Sequence, residues 1–290
     1  MSEVPMPKTL TGDEWVIEPR GEGVRAIARD VWQYRRLLRF FALRSFQKLY
    51  RRTVLGVAWL FIRPLFPLLV STLVFGGVLG VAPGGQVPYF LFLAVGTSVW
   101  EFFASSLMWG TRSLELNRGM LSRIYIPRLI LPIAMVAPAL MTFVIHLGVI
   151  IVAFVYYRWT RGIWFFHPLQ VGWAVQGFAL AWLLSLGIAL WTSVPALIAR
   201  DVRFTLNYVL GFWLFLTPVV YSLDSVPAKY RWAFTLNPMT ASVESFKIGL
   251  INLGSIDSRQ LLTAWGVALF TLISGLLFFS RAERNAADKS

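Results

Sequence analysis

A single carboxylate, Glu101, lies near the centre of an apolar run that extends over residues 87–111. Burying a charge at the middle of a bilayer costs roughly 2.5–3.5 kcal/mol on insertion scales, so such a residue usually faces water or a partner of opposite charge. Thr97 and Ser105 lie one turn to either side on the same helix face, and the three together form a polar stripe. The stripe fits either the wet wall of a transport path or a structural pairing of Glu101, for example with Arg63.

Three aromatic residues, Tyr208, Phe212 and Phe215, lie on one side of a helix predicted over residues 204–223. Aromatic residues at the ends of membrane helices usually form interface belts, but these three lie away from the ends. The π face of an aromatic ring can stack on the C–H-rich face of a sugar ring. A row of such rings would let a sugar chain slide along the helix without sequence-specific hydrogen bonds.

Several kinds of chemistry are excluded by what the sequence lacks. It contains no cysteine, which rules out thiol catalysis, disulfides and thiolate metal sites. His146 and His167 have no metal-ligand partner three or four residues away, and we interpret both as structural. No lysine follows a glycine, so the sequence carries no Gly-Lys pair to cradle phosphates. If ATP drives transport, another chain is expected to bind it.

The elements that must position these residues are long apolar helices. Hydrophobic residues make up 57% of the chain, charged residues only 14%, and the mean hydropathy is +0.64. A helix needs about 20 mostly apolar residues to cross the hydrocarbon core of a membrane. Six runs meet this requirement, over residues of about 54–81, 87–111, 129–157, 171–199, 204–223 and 261–280. The sequence therefore predicts one all-α integral membrane domain with six transmembrane helices over residues 53–285.

The basic residues indicate which side of the membrane each loop faces. The chain carries 27 Lys and Arg residues and a formal net charge of +13. Most of them lie before the first run, in the loops after the second and fourth runs, and at the C-terminus. Because short loops rich in Lys and Arg stay in the cytoplasm, both termini are predicted to be cytoplasmic. We interpret the charges as topological anchors and headgroup contacts rather than as a nucleic-acid site.

Residues 28–52 are predicted to form an amphipathic helix in the membrane interface, after a mobile tail of residues 1–27. Aromatic and aliphatic residues such as Leu38 and Phe41 share one face, and basic residues cover the opposite face. The basic face and the residue that follows it contain Arg36, Arg44, Arg51 and Arg52. A soluble surface helix is the alternative interpretation of this pattern.

Two segments differ from simple connections between spans. The cytoplasmic loop of residues 112–128 alternates basic and apolar residues, which suits either a short helix presented to a soluble partner or an ordinary anchored loop. The external segment of residues 221–260 is partly apolar, but Glu244, Lys247 and Asn252 keep it from being a seventh span. One or two short re-entrant helices that dip into the outer interface fit this segment best.

Three motifs in chain order resemble those of the ABC-2 type permeases, in particular the branch that exports lipid-linked O-antigen, teichoic acid and capsule. The first is YRRTVLGVAW at residues 50–59, before the first span. The second is SRIYIPR at residues 122–128, followed by LP at residues 131–132. The third combines TPVVY, VPAKYR and LNPMT, which begin at Thr217, Val226 and Leu236. The order, the spacing and the six-span topology match over roughly residues 30–285.

This resemblance implies a homodimeric, non-catalytic permease in the bacterial cytoplasmic (inner) membrane, paired with two separate ATPase subunits that bind ATP and Mg²⁺. The interface helix and the loop of residues 112–128 would receive the ATPase. The loop residues expected to couple the two are Arg118, Arg123, Tyr125, Pro127 and Arg128. The external segment would gate the exit, with Asn237, Pro238 and Glu244 as its candidate residues.

The sequence as a whole therefore predicts the membrane subunit of an exporter of lipid-linked, O-antigen-like polysaccharide. Two copies would form the path, since six helices with few polar faces cannot line a wide pore alone. The polar stripe and the three aromatic residues would line this path. One alternative is an exporter of a small lipid or drug. Another is a membrane enzyme acting on lipid-linked sugars, for which the spans offer only Glu101, Arg63 and His146 as reactive groups.

Overall fold

A computed structural model of the chain describes residues 35–50, 58–84, 86–121 and 128–287, and every regular element within them is a helix. The all-α prediction is confirmed for this part of the chain. Several predicted features lie outside the described residues, namely the mobile tail of residues 1–27 and the sites Arg51, Arg52, Arg123, Tyr125 and Pro127.

The helices of the described part follow one another with short connections. In chain order they are α1 Arg35–Tyr50, α2 Trp59–Ser71, α3 Tyr89–Thr111, α4 Ser113–Leu116, α5 Arg118–Leu121, α6 Ile130–Ala134, α7 Ala137–Arg161, α8 Val171–Ile198, α9 Asp201–Phe215, α10 Ala228–Leu236, α11 Pro238–Ile251 and α12 Ser258–Ala287. Helix α2 continues as a π-helix over Thr72–Val78, and 3-10 turns at Pro168–Gln170 and Leu223–Ser225 precede α8 and α10.

Five stretches of the described residues are long and apolar enough to cross a membrane. They are Phe61–Val78, Tyr89–Thr111, Ile130–Arg161, Pro168–Ile198 and Ser258–Ala282, and they correspond to five of the six predicted runs. The remaining run, predicted over residues 204–223, forms only the 15-residue helix α9, which is about 22 Å long. The helix ends before Pro218, which has no N–H to continue it. A sixth complete span therefore stays a prediction.

Helix α8 lies at the centre of the helical body, in extensive contact with α3, α11 and α12, while α7 packs on α3. The main core is made of apolar side chains from these helices, including Phe92, Phe103, Leu184 and Val243. Lipid tails are as apolar as these side chains, so close packing rather than the hydrophobic effect has to hold such helices together.

Glycines allow α11 to approach α8 closely. A side chain at Gly177 of α8 would collide with the backbone of Ser242 and Phe246, and one at Gly249 of α11 would collide with the backbone of Ala174. The Ser242 hydroxyl also donates a hydrogen bond to the Gly177 carbonyl, at 2.7 Å. The external segment is thus seated against the central helix by small residues, a common device in membrane proteins.

The substitution Gly249→Ala should destabilise the protein by about 1–3 kcal/mol, because its methyl group would overlap the Ala174 backbone. Gly266→Ala in α12 is the matched control, since nothing lies within 4 Å of a methyl group there. Alanine is the better helix former, so the control should gain roughly 0.5–1 kcal/mol. Thermal unfolding followed by tryptophan fluorescence measures both, and shifts of the same sign would contradict the close contact.

A second, smaller core joins α1 to the segment that follows α3. Phe41 of α1 is fully buried in a cluster with Leu114 of α4, Leu131 of α6, Leu190 of α8 and Phe279 of α12. The predicted placement of Phe41 on the apolar face of its helix agrees with this burial. Residues 112–121 therefore contain short helices next to the body, and Leu114 shares this second core with Phe41 of α1. The position of α1 in the membrane interface stays a prediction.

Candidate functional site

Helix α9 carries the three aromatic residues singled out in the sequence on an outward-facing side. Tyr208, Phe212 and Phe215 are 71%, 73% and 62% exposed, and Leu210 is the buried residue of this helix. Their spacing of three to four residues puts them on one face. The aromatic row, defined by these three residues, is thus a surface that a second copy, a lipid or a substrate can contact.

The inward side of α9 is fixed to α3 near the C-terminal end of α9. Trp213 packs edge-on against Trp100 and Phe103, with ring centroids 6.4 Å and 5.2 Å apart. Edge-to-face pairs of this kind are worth about 0.5–1.5 kcal/mol beyond the area they bury. The aromatic residues of α9 therefore have two roles, with Trp213 as the anchor and the aromatic row left accessible.

Glu101 lies on the exposed side of α3 and has a positive charge nearby. Arg63 of α2 is close enough to attract it electrostatically, although these two described side chains form no direct ion pair within 4.0 Å. The arrangement contains elements of both sequence interpretations, because Glu101 has a charge partner and also an accessible position.

The polar stripe on α3 is narrower than its sequence suggests. The Thr97 hydroxyl donates hydrogen bonds to the carbonyls of Leu93 and Ala94 in its own helix, at 2.7 Å and 3.3 Å. A hydroxyl used in this way offers little to water or substrate. Ser105 is half-buried, so Glu101 is the member of the stripe with an accessible side chain.

Asn237 joins the end of α9 to the start of α11. Its amide nitrogen donates to the Leu216 carbonyl at 2.9 Å and to the Thr217 hydroxyl at 3.0 Å. Its amide oxygen accepts from the Trp213 indole at 2.9 Å and from the Met239 N–H at 3.0 Å. The last bond caps the N-terminus of α11, a position where asparagine is strongly favoured. Asn237, predicted as a gate residue, is therefore a junction between helices.

Helix α10 is the least tightly packed part of the external segment. None of its nine described residues is buried. An open cavity of about 270 Å³ lies beside it, lined by Trp213, Leu216, Ala233, Leu236, Asn237 and Pro238. Pro238 itself occupies the first turn of α11. Backbone N–H groups in the first turn have no partner within the helix, so the missing N–H of proline costs no helix hydrogen bond there. Two short helices occupy the segment as predicted, whereas their insertion into the outer interface stays a prediction.

A buried ion pair fixes α11 inside the protein. The Lys247 ammonium is fully buried and lies 3.3 Å from Glu244 Oε1. It also donates to the Pro218 carbonyl and lies 3.9 Å from the centre of the Phe92 ring. Glu244 Oε2 accepts the N–H of Ser255 at 3.3 Å. The pair thus ties α11 to α3, to the turn after α9 and to the loop before α12.

Burial acts against both charges of this pair. It raises the pKa of the Glu244 carboxyl and lowers the pKa of the Lys247 ammonium, because each charge loses its hydration. Their mutual attraction opposes both shifts, and the Ser255 N–H also lowers the pKa of Glu244, whereas the charge of Asp224 raises it. In this conformation Glu244 holds the segment in place and presents no surface to a passing substrate.

A second ion pair joins α9 to the segment after α3. Arg203 Nη1 donates to both oxygens of Glu115, at 2.9 Å and 2.8 Å. Sequence reasoning missed both this pair and the pairing of Lys247 with Glu244. The three-residue spacing of Glu244 and Lys247 in an apolar segment is a signal that could have identified the Glu244–Lys247 pair. Arg203 and Glu115 are 88 residues apart, and no local pattern links them.

The described basic residues that are expected at an ATPase contact lie on α1, on α5 and in the turn before α6. Arg36 of α1 and Arg118 of α5 are exposed, and Arg128 is half-buried. Arg44 of α1 contacts the sulfur of Met120 in α5. The structure therefore brings α1 and residues 118–121 into contact.

Comparison with known proteins gives a consistent result along most of the chain. The family described as "ABC-2 type transporter" matches residues 36–251. The chain is 28% identical over 269 residues to the O-antigen export system permease protein RfbA of Myxococcus xanthus, covering 90% of this chain and 98% of that protein. Two proteins of the same name from Klebsiella pneumoniae are 24% and 25% identical, over 82% of this chain and 89% of each relative.

Proposed function

Because the chain belongs to the ABC-2 type transporter family, we propose that it is the membrane subunit of an ATP-driven exporter of lipid-linked, O-antigen-like polysaccharide. The observation that carries this proposal is the similarity, over nearly the whole length of both chains, to a protein named as an O-antigen export permease. The family is one of transporter permeases, which agrees with a non-catalytic membrane subunit.

The path is proposed to run between two copies of this chain. Helix α2 with its π-helical continuation, and helix α9, lie at the edge of the body. They expose apolar side chains such as Phe66, Leu73 and Phe212. The aromatic row would offer sugar rings a stacking surface, and Glu101 would keep part of the wall wet. Stacking is non-directional along a row of rings, so it suits movement of a chain better than tight binding.

ATP and Mg²⁺ are proposed to bind to two separate ATPase subunits that dock on the cytoplasmic face of the inner membrane, the side on which both termini would lie. The second core supports docking on α1 and residues 112–128 together, because Phe41 and Leu114 join the two elements. On the other face, α10 is the element proposed to move as an exit gate, since its residues are exposed while α11 is fixed by its buried pair.

The proposal is tested by reconstituting the chain in liposomes with candidate ATPase subunits and measuring ATP hydrolysis and transport. Lipid-linked polysaccharide should stimulate hydrolysis and should cross the bilayer only when the ATPase is present. Stimulation by small lipids or drugs, with no response to the glycan, would favour the alternative exporter. A chain that purifies with none of the ATPases would contradict the assignment as their membrane subunit.

Changing Tyr208 and Phe215 together to alanine should reduce glycan export by about tenfold or more, because base–aromatic stacks, the closest measured analogue, are worth about 1–3 kcal/mol each. Both rings are exposed, so assembly and basal ATP hydrolysis should stay near their original levels. The double change to leucine keeps apolar bulk without a π face. Export at the original level in the leucine variant would show that the rings only fill space.

A further inference from the structure

We propose that the Arg203–Glu115 ion pair transmits movement of the segment of residues 112–121 to α9 and its aromatic row. The inference rests on the proposed function, in which the ATPase acts on that segment and α9 lines the path. It assigns Arg203 and Glu115 as positioning residues, since neither has to touch ATP or the glycan.

The geometry of the pair suits a mechanical link. A single nitrogen, Arg203 Nη1, contacts both oxygens of Glu115, and the two side chains are only 17% and 33% exposed. Charge-assisted hydrogen bonds are roughly twice as strong as neutral ones, and partial burial protects them from screening by salt. Contact through one nitrogen, rather than through the two arms of the guanidinium, leaves the arginine free to pivot while staying attached.

Glu115 is connected to the second core, and Arg203 is part of α9. Glu115 follows Leu114, which is buried in the second core with Phe41 of α1. A push on α1 or on residues 112–121 therefore moves Glu115 with them. Arg203 lies in the first turn of α9, so a displacement of Glu115 acts on the end of that helix.

The rest of α9 is held lightly enough to respond. Leu210 is the buried residue of this helix, and its other firm anchor is Trp213, near the C-terminal end, through Trp100 and Asn237. A force at Arg203 would therefore tilt the helix about its Trp213 anchor. Tyr208 lies between the two fixed points and would move with the helix.

No other ion pair in the described part of the chain involves α9. The second pair there, Glu244–Lys247, lies within α11. Arg200, three residues before Arg203, is exposed and has no ion pair among the described residues. Arg200 therefore provides a control with the same charge and nearly the same position but without the link.

The test uses the full complex with its ATPase in liposomes, comparing Glu115→Gln, Arg203→Gln, the reversed pair Glu115→Arg with Arg203→Glu, and Arg200→Gln. Both single variants should assemble, and Arg203→Gln, which lies outside the proposed docking segment, should keep basal ATP hydrolysis. In both variants glycan-stimulated hydrolysis and glycan exported per ATP should fall about fivefold or more, the lower end of typical coupling between sites. The reversed pair should recover most of the loss, and Arg200→Gln should match the original protein.

Several outcomes would overturn the inference. Full coupling in both single variants would do so, and so would a loss that the reversed pair does not recover. A purely structural staple would lower the thermal midpoint and basal hydrolysis in step with export, rather than the exported amount per ATP. A wild-type complex that the glycan fails to stimulate would instead contradict the proposed function, and the two failures are thereby distinguished.

Discussion

Replacing Lys247 with methionine should destabilise the protein by about 3–5 kcal/mol at neutral pH, the usual cost of removing one partner from a buried ion pair. The change leaves the Glu244 carboxylate buried without its positive neighbour and the Pro218 carbonyl without its donor. Thermal unfolding of the purified protein in nanodiscs measures the loss. The double variant Glu244→Gln with Lys247→Met is the control, and it should recover most of the stability because neither charge stays buried alone.

The pH dependence of these variants gives a sharper test. Burial raises the pKa of Glu244 in the folded protein, so in Lys247→Met the folded state holds a proton that the unfolded chain releases near its ordinary value of 4.5. Stability should therefore be highest at acidic pH and fall as the pH rises from 4.5 through the raised pKa. In Glu244→Gln the lowered pKa of Lys247 gives the opposite slope, with stability rising as the pH increases. If the stability of both variants changed with pH in the same direction, the burial of Glu244 and Lys247 would be contradicted.

Asn237→Ala should cost about 2–4 kcal/mol, because it removes four hydrogen bonds of about 1 kcal/mol each, one of them a helix cap. The Trp213 indole and the Leu216 carbonyl would each lose a partner. Asn237→Asp is the matched control, since it keeps the acceptor for Trp213 and the cap of α11 but loses both donated bonds. Its cost should lie between those of the original protein and the alanine variant.

Thermal unfolding measures the cost of the Asn237 variants, and hydrogen exchange locates it. Exchange should accelerate in residues 216–221 and at the first turn of α11 in the alanine variant, because Asn237 joins these two places. An alanine variant as stable as the aspartate variant would mean that the amide oxygen contributes nothing, contrary to its two bonds.

The long helices could be predicted because membrane spans carry the strongest signal in a sequence. The sequence predicts a span over residues of about 87–111, and α3 covers Tyr89–Thr111. The apolar run at 204–223 was a weaker guide, since apolar composition continues past the point where α9 ends. Helix α9 ends shortly before Pro218, but membrane helices also tolerate proline. The presence of Pro218 in the sequence therefore does not by itself predict where the helix ends.

The polar contacts of the site depend on residues that are far apart in the sequence. The distribution of basic residues assigns Lys247 to the loops outside the spans. In the structure its ammonium group is buried and contacts Phe92 of α3 and the Pro218 carbonyl. Arg203 and Glu115 likewise meet only when α9 and α4 are packed together. The sequence indicates that residues 221–260 and 112–128 are more than simple connections between spans. Which of their side chains form pairs is decided by tertiary packing.

The buried pair of α11 also sets an order in time for the making of this protein. Glu244 and Lys247 are one turn apart, but their burial requires the turn at Pro218 and the loop that contains Ser255. Ser255 follows α11, so the ribosome has to complete most of the chain before this site can close. Until then both charges need water, which keeps the unfinished segment out of the apolar interior. The burial of these two charges therefore has to wait until every partner has been synthesised.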